Sequence, residues 1–215
     1  LPTELTRLTA LEELGVNENS MIGTIPTELG QMLGLKLLDI DFNAWSETLP
    51  TELGQLTRLE FLDVNSNSFA GTVPTESGQQ LTALTLLSIN RNALEGLLPT
   101  ELGRLTRLTS LSISENLLTG TFPKELSLLT VLERLYANSN NMTGNLLSLS
   151  LAWKHIKTFT THKNMLTGTL PRNIGEWTAL QVFSVEDNNF SGTIPTEFGQ
   201  LSELRHWDVN NNFFH

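Results

Sequence analysis

Cysteine is absent from the chain, which excludes disulfides, thiolate nucleophiles and cysteine-based zinc sites. Positive charge is scarce: 13 Lys and Arg stand against 23 Asp and Glu, for a net charge of −10. Such a chain has no basic face with which to neutralise phosphates, so nucleic acid and anionic lipid surfaces are not expected partners. Charge of either sign is low, at 17% against about 25% in an average soluble domain. No apolar run approaches the roughly 20 residues that span a bilayer, and no segment has the make-up of a signal peptide. The four histidines (His155, His162, His206 and His215) are scattered, and no zinc-protease, triad, phosphate-loop or dinucleotide spacing occurs. The carboxylate pairs Glu12-Glu13 and Glu186-Asp187 read as solvated surface. No catalytic residue, cofactor or metal site is therefore expected, and the protein reads as a non-enzyme.

What the chain does have is a period. Leu11-Glu-Glu-Leu14-Gly-Val16-Asn-Glu-Asn19 returns as Leu59-Glu-Phe-Leu62-Asp-Val64-Asn-Ser-Asn67 and again as Leu108-Thr-Ser-Leu111-Ser-Ile113-Ser-Glu-Asn116. The last asparagine of the phrase stands at Asn19, Asn43, Asn67, Asn92, Asn116, Asn140, Asn164, Asn188 and Asn212. Every step is 24 residues except one of 25, where Gln79-Gln80 adds a residue. A fixed period of this length is the signature of a solenoid.

Each unit can be read physically. Alternation predicts a short strand with Leu14 and Val16 inward and Glu13, Gly15 and Asn17 outward. Asn19 then turns inward, where a buried amide must find backbone partners in a neighbouring turn. The second half, Gly23-Thr-Ile25-Pro26-Thr-Glu-Leu29-Gly30, predicts a tight turn, an inward Ile and a brief 3-10 or helical turn with Thr as N-cap. No unit can bury its own apolar face, so stability comes from stacking. The reading is one domain over residues 1–215, of nine strand-and-asparagine units, truncated or uncapped at both ends, so that either the natural protein is longer or something else covers its open ends.

The phrase L-x-x-L-x-L-x-x-N-x-L-x-G-x-I-P-x-x-L-G resembles the plant-type leucine-rich repeat. That repeat is found in receptor-like kinase and receptor-like protein ectodomains and in polygalacturonase-inhibiting proteins. The wording IPTELGQL is similar to algal and diatom repeat proteins. The resemblance covers essentially the whole chain. It implies an α/β repeat solenoid: a right-handed superhelix with a parallel concave sheet, short second strands and short 3-10 or α turns on the convex side. The cysteine-paired caps usual in that family have no counterpart here.

Equivalent strand positions should stack into columns about 5 Å apart. One column reads Glu13, Leu37, Phe61, Leu86, Ser110, Arg134, Thr158, Val182, His206, and predicts an exposed apolar strip of Leu37, Phe61 and Leu86 with Phe42 nearby. Adjacent columns gather Asp39, Asp41 and Asp63 beside it, which suits a protein or peptide ligand with a basic residue among apolar ones. A secondary basic spot comprises Lys157, His162 and Lys163 in the irregular seventh unit, where Asn145–His155 replaces the usual phrase and Thr161 takes an inward slot. Threonines at 24, 48, 72, 121, 169 and 193 predict a flat ladder, which raises ice binding. Glutamates at 4, 28, 52, 76, 101, 125 and 197 raise cation binding; copying of one repeat accounts for both series as well. Asn141-Met-Thr143 and Asn189-Phe-Ser191 are N-glycosylation triplets. The favoured function is a protein- or peptide-binding segment of a cell-surface receptor, adhesion protein or secreted inhibitor. The alternative is a structural subunit whose open ends meet neighbouring domains or subunits. An extracellular, cell-surface or lumenal setting is expected, without membrane insertion of this segment.

Overall fold

In the computed structural model, which describes residues 1–147, 149 and 153–215, the chain winds into a solenoid with two parallel sheets of nine strands each. The first sheet is built from three-residue strands running from Glu13–Gly15 to His206–Asp208. The second follows each of these by a few residues, from Ile22–Gly23 to Phe213–Phe214. Positions 148 and 150–152, within the irregular seventh unit, lie outside the described residues.

Register in the first sheet follows the repeat. Leu14, Leu38, Leu62, Leu87, Leu111 and Leu135 pair in succession, and the row continues through Phe159, Phe183 and Trp207. The apolar side chains behind them form one continuous core. Toward the C-terminal end its leucines give way to aromatics: Trp153 and Trp177 lie 6.0 Å apart and Phe159 stacks on Phe183 at 5.7 Å. Trp153 is fully buried because its indole N–H donates to the Leu126 carbonyl at 3.0 Å.

The asparagine series behaves as its spacing requires. Asn116, buried, donates its amide to the carbonyls of Ile113 and Ser114 in its own turn and to that of Ile89 in the preceding one. Its side-chain oxygen accepts the Leu94 N–H, again from the preceding turn. Asn43, Asn67, Asn92, Asn140, Asn164, Asn188 and Asn212 repeat the pattern. Asn19 bonds only within its own turn.

Among the described residues the convex side carries seven 3-10 turns and one α-helix, Thr75–Gln80. The helix falls where the sequence has its extra residue, which is absorbed by widening one 3-10 turn. Threonine does not cap these turns as the sequence suggested. The N-cap position is proline, such as Pro26 or Pro50, with no side-chain cap bond. Thr27 and Thr51 already belong to the turn, and their hydroxyls reach only the next glutamate. The glycine ending each phrase has a role that composition did not reveal. A Cβ on Gly103 would stand 2.4 Å from the Glu125 carbonyl oxygen of the next turn, so glycine sets how closely successive turns approach. In the unit before the irregular one, that position is Ser127.

Two stability outcomes follow. Asn116→Ala takes the side-chain acceptor from the buried Leu94 N–H, a cost of roughly 1–3 kcal/mol, whereas Asn19→Ala costs below about 1 kcal/mol. Gly103→Ala lowers stability by about 1–3 kcal/mol through overpacking. Urea unfolding of each variant reads both, and equal costs at the two asparagines would contradict the ladder's role.

Candidate functional site

The first sheet places the expected residues side by side. Leu37 pairs with Phe61 and Phe61 with Leu86, while Asp39 pairs with Asp63. The apolar strip is half-buried rather than exposed, a correction to the sequence reading. On a sheet of close-set strands these bulky neighbours cover one another's flanks. The aromatic that does stand out is Phe42, at 49% exposure.

Phe42 sits in the turn after the strand Leu37–Asp39, with φ +45°. The corresponding left-handed residues elsewhere are Glu18, Ser66, Arg91, Glu115, Ser139, Lys163, Asp187 and Asn211, all polar. Left-handed backbone costs a residue with a Cβ about 1–2 kcal/mol, and Asn or Asp least. A bulky aromatic here gains little packing in return for that strain.

Beside it lie the three aspartates. Asp63 accepts the Asn65 backbone N–H at 2.9 Å and its side-chain amide at 2.7 Å, and the same amide reaches Asp41 at 3.1 Å. Asn65, which sequence reasoning did not single out, is thus the brace of the group; its outward place next to Asp41 in the same column, two residues after Asp63, was the available signal. Asp41 Oδ1 is buried without a hydrogen-bond partner. Burial, then the Asp39 and Asp63 charges, pushes the Asp41 carboxyl above the ordinary range. Burial does the same to Asp39, with Asp63 and Glu18 adding to it and the Asp41 N–H opposing. The arrangement is an anionic spot short of positive charge.

The basic spot is less basic than its composition. Lys157 pairs with Glu133 at 2.9 Å, which holds the glutamate below its usual range. His162 Nδ1 lies 2.9 Å from the Ser184 hydroxyl, which donates to Glu186 at 2.5 Å. Lys163 remains exposed in its left-handed turn. Thr161 points inward, fully buried, with its hydroxyl unpartnered.

The second sheet differs in register. Thr48 faces Ala70 and Thr72 faces Glu95, a slip of two residues per strand relative to the repeat. A lateral step of about 4.8 Å and a two-residue rise of about 6.6 Å put equivalent residues roughly 8 Å apart on the diagonal. The threonines therefore do not form the directly stacked flat ladder expected from sequence. The glutamates stand at the turn starts, and Glu28, Glu52, Glu76, Glu101 and Glu197 each accept from the preceding threonine hydroxyl, as in Thr51–Glu52 at 3.2 Å. Among the described residues no group of three His, Asp or Glu could hold a metal ion, and no helix is long and apolar enough to cross a membrane. Depressions of about 460 Å³ at Leu147–Glu197 and about 560 Å³ at Asn92–Lys163 lie open at the surface.

A family model described as Leucine Rich Repeat matches residues 107–129 and 179–201. No curated protein sequence matches significantly. Among solved structures, the chain is similar to the LRR ectodomain of the membrane receptor kinase GASSHO1/SCHENGEN3 from Arabidopsis thaliana, solved in complex with CASPARIAN STRIP INTEGRITY FACTOR 2. The TM-score is 0.96 and the identity 26%, over 100% of this chain and 26% of that one. It is also similar to the LRR ectodomain of the Arabidopsis receptor kinase HAESA, solved in complex with an N-terminal extended IDA peptide hormone ligand, at TM-score 0.92 and 27% identity over 97% and 36%. A plant ice-binding protein matches at TM-score 0.70 and 25% identity over 95% and 75%. The chain thus spans about a quarter to a third of the two receptor ectodomains.

One pH-dependent outcome follows from the aspartates. Because the folded carboxyl of Asp41 is raised, the folded state binds its proton more tightly, and stability from this group falls as pH rises through that range. Asp41→Asn should therefore raise Tm at neutral pH, with the gain shrinking as pH falls and the wild-type carboxyl protonates. Thermal melts across pH 4 to 8 check this, and a lowered Tm at pH 7 would refute it.

Proposed function

We propose, from the premise that the chain is a leucine-rich-repeat solenoid of the plant type, that its concave sheet binds an extended protein or peptide segment with a basic residue among apolar ones. The observation that carries this reading is a coincidence of two costs at one place. Phe42 holds an unfavourable backbone, and the neighbouring aspartates are crowded and partly desolvated. Proteins keep strain and unsatisfied charge where these serve a site. A cation over Asp39, Asp41 and Asp63 would satisfy them, while Phe42 and the half-buried Leu37, Phe61 and Leu86 would pack against its apolar neighbours.

The open depressions described above suit a macromolecular segment better than a small molecule. The HAESA structure holds a peptide hormone, which supports the same ligand class here. We place the protein at the cell surface or outside the cell, as a recognition module without catalysis. The ice-binding neighbour raises a different use for the second sheet. Its staggered threonines, interrupted by Ala70, Glu95 and Leu97, favour the concave face instead.

Selection of a random-peptide display library on the chain tests the reading. Enriched peptides should share a Lys or Arg with apolar neighbours. Phe42→Asn and Asp39→Asn should each weaken their binding about tenfold, equivalent to about 1.4 kcal/mol, while the fold stays intact or gains stability. Selected peptides that lack a basic residue, or that bind both variants as tightly as the parent, would overturn it.

A further inference from the structure

We propose that Asn141 and Asn189 carry N-linked glycans, and that together these cover the outer face of the second sheet from the strand Asn141–Gly144 to the strand Asn189–Gly192. Each belongs to a pair of adjacent asparagines with opposite fates. Asn140 and Asn188 are buried and bonded into the ladder at 7% and 5% exposure. Asn141 and Asn189 point out, exposed, and among the described residues neither side chain has a hydrogen-bond partner. Nothing in the fold calls for asparagine there: the equivalent residues are Ser20, Ala44, Ser68, Ala93, Leu117, Met165 and Phe213. The third residues of the triplets, Thr143 and Ser191, lie two along the strand on the same outer face and are partly exposed.

These are the two Asn-x-Ser/Thr triplets in the chain, and they occupy one repeat position on strands that flank a third, Met165–Gly168. Two diagonal steps of about 8 Å put the asparagines roughly 16 Å apart, with exposed Met165 between them. Bulky glycans at both ends of that span would overhang it. In the transfer, the asparagine carboxamide nitrogen bonds to the anomeric carbon of a lipid-linked oligosaccharide diphosphate. The bond from that carbon to the diphosphate oxygen breaks, the lipid diphosphate leaves with the electron pair, and the amide gives up one proton. The modification rests on the extracellular setting proposed above and leaves the concave sheet open, so recognition is confined to that face and to the part of the second sheet before Asn141.

The chain is secreted from a eukaryotic host that performs N-glycosylation and its intact mass is taken before and after peptide N-glycosidase. Two glycans are expected, one lost in Asn141→Gln and one in Asn189→Gln, with aspartate at both positions after digestion. Because the chain has no cysteine, Met165→Cys supplies a sole thiol. A bulky maleimide should label it several-fold more slowly before digestion than after, while Ala44→Cys on the same sheet is unaffected. Secreted protein with either asparagine bare, or labelling at Met165→Cys indifferent to the glycosidase, would overturn the proposal. Peptide binding through Phe42 is read separately, so failure of one result does not decide the other.

Discussion

The structure depends on where the backbone hydrogen-bonding groups go when each concave strand ends. A strand of three residues leaves carbonyls and N–H groups facing the core at its C-terminal side, and burying them unbonded costs roughly 1–3 kcal/mol apiece. One asparagine per turn solves this for two turns at once. Its amide bonds carbonyls of its own turn and of the one before, and its oxygen takes an N–H from the one before. Because each solution crosses a turn boundary, no turn is complete without its neighbour, and the period of the chain cannot drift.

Once that spacing is set, the remaining features adjust to it. Glycines such as Gly30, Gly54 and Gly103 let the convex turns approach to contact, and proline starts each turn without a side-chain cap. The single extra residue at Gln79-Gln80 is taken up on the convex side, by an α-helix in place of a 3-10 turn, which leaves the asparagine series in register. The two sheets then differ in kind. The first stacks equivalent residues directly, so side chains of one column touch. The second slips by two residues per strand, so its columns are spread and broken.

That difference separates the roles proposed for the two faces. Direct stacking brings Asp39 beside Asp63 and lets Asn65 reach across to Asp41, concentrating charge that the fold alone would be more stable without. Phe42 adds a second local cost in the same turn. On the slipped sheet no such concentration arises, and its outward asparagines stand free of the ladder, open to modification.

The repeat, the nine-asparagine ladder, the inward leucines and the columns of the concave sheet were legible in the sequence. Each rests on short-range alternation within a strand and on a period that direct stacking preserves. Asp39, Asp41 and Asp63 came together for that reason, and Thr161 lies inward as its slot required. Three features belonged to the tertiary structure alone. Leu37, Phe61 and Leu86 are half-buried because neighbouring bulky side chains shield one another, which a column of letters does not weigh. The threonines are staggered because register between second strands depends on how each turn is rotated against the next, which no single repeat encodes. The strain at Phe42 arises because the turn after every concave strand takes up left-handed backbone, a demand visible only once φ is known.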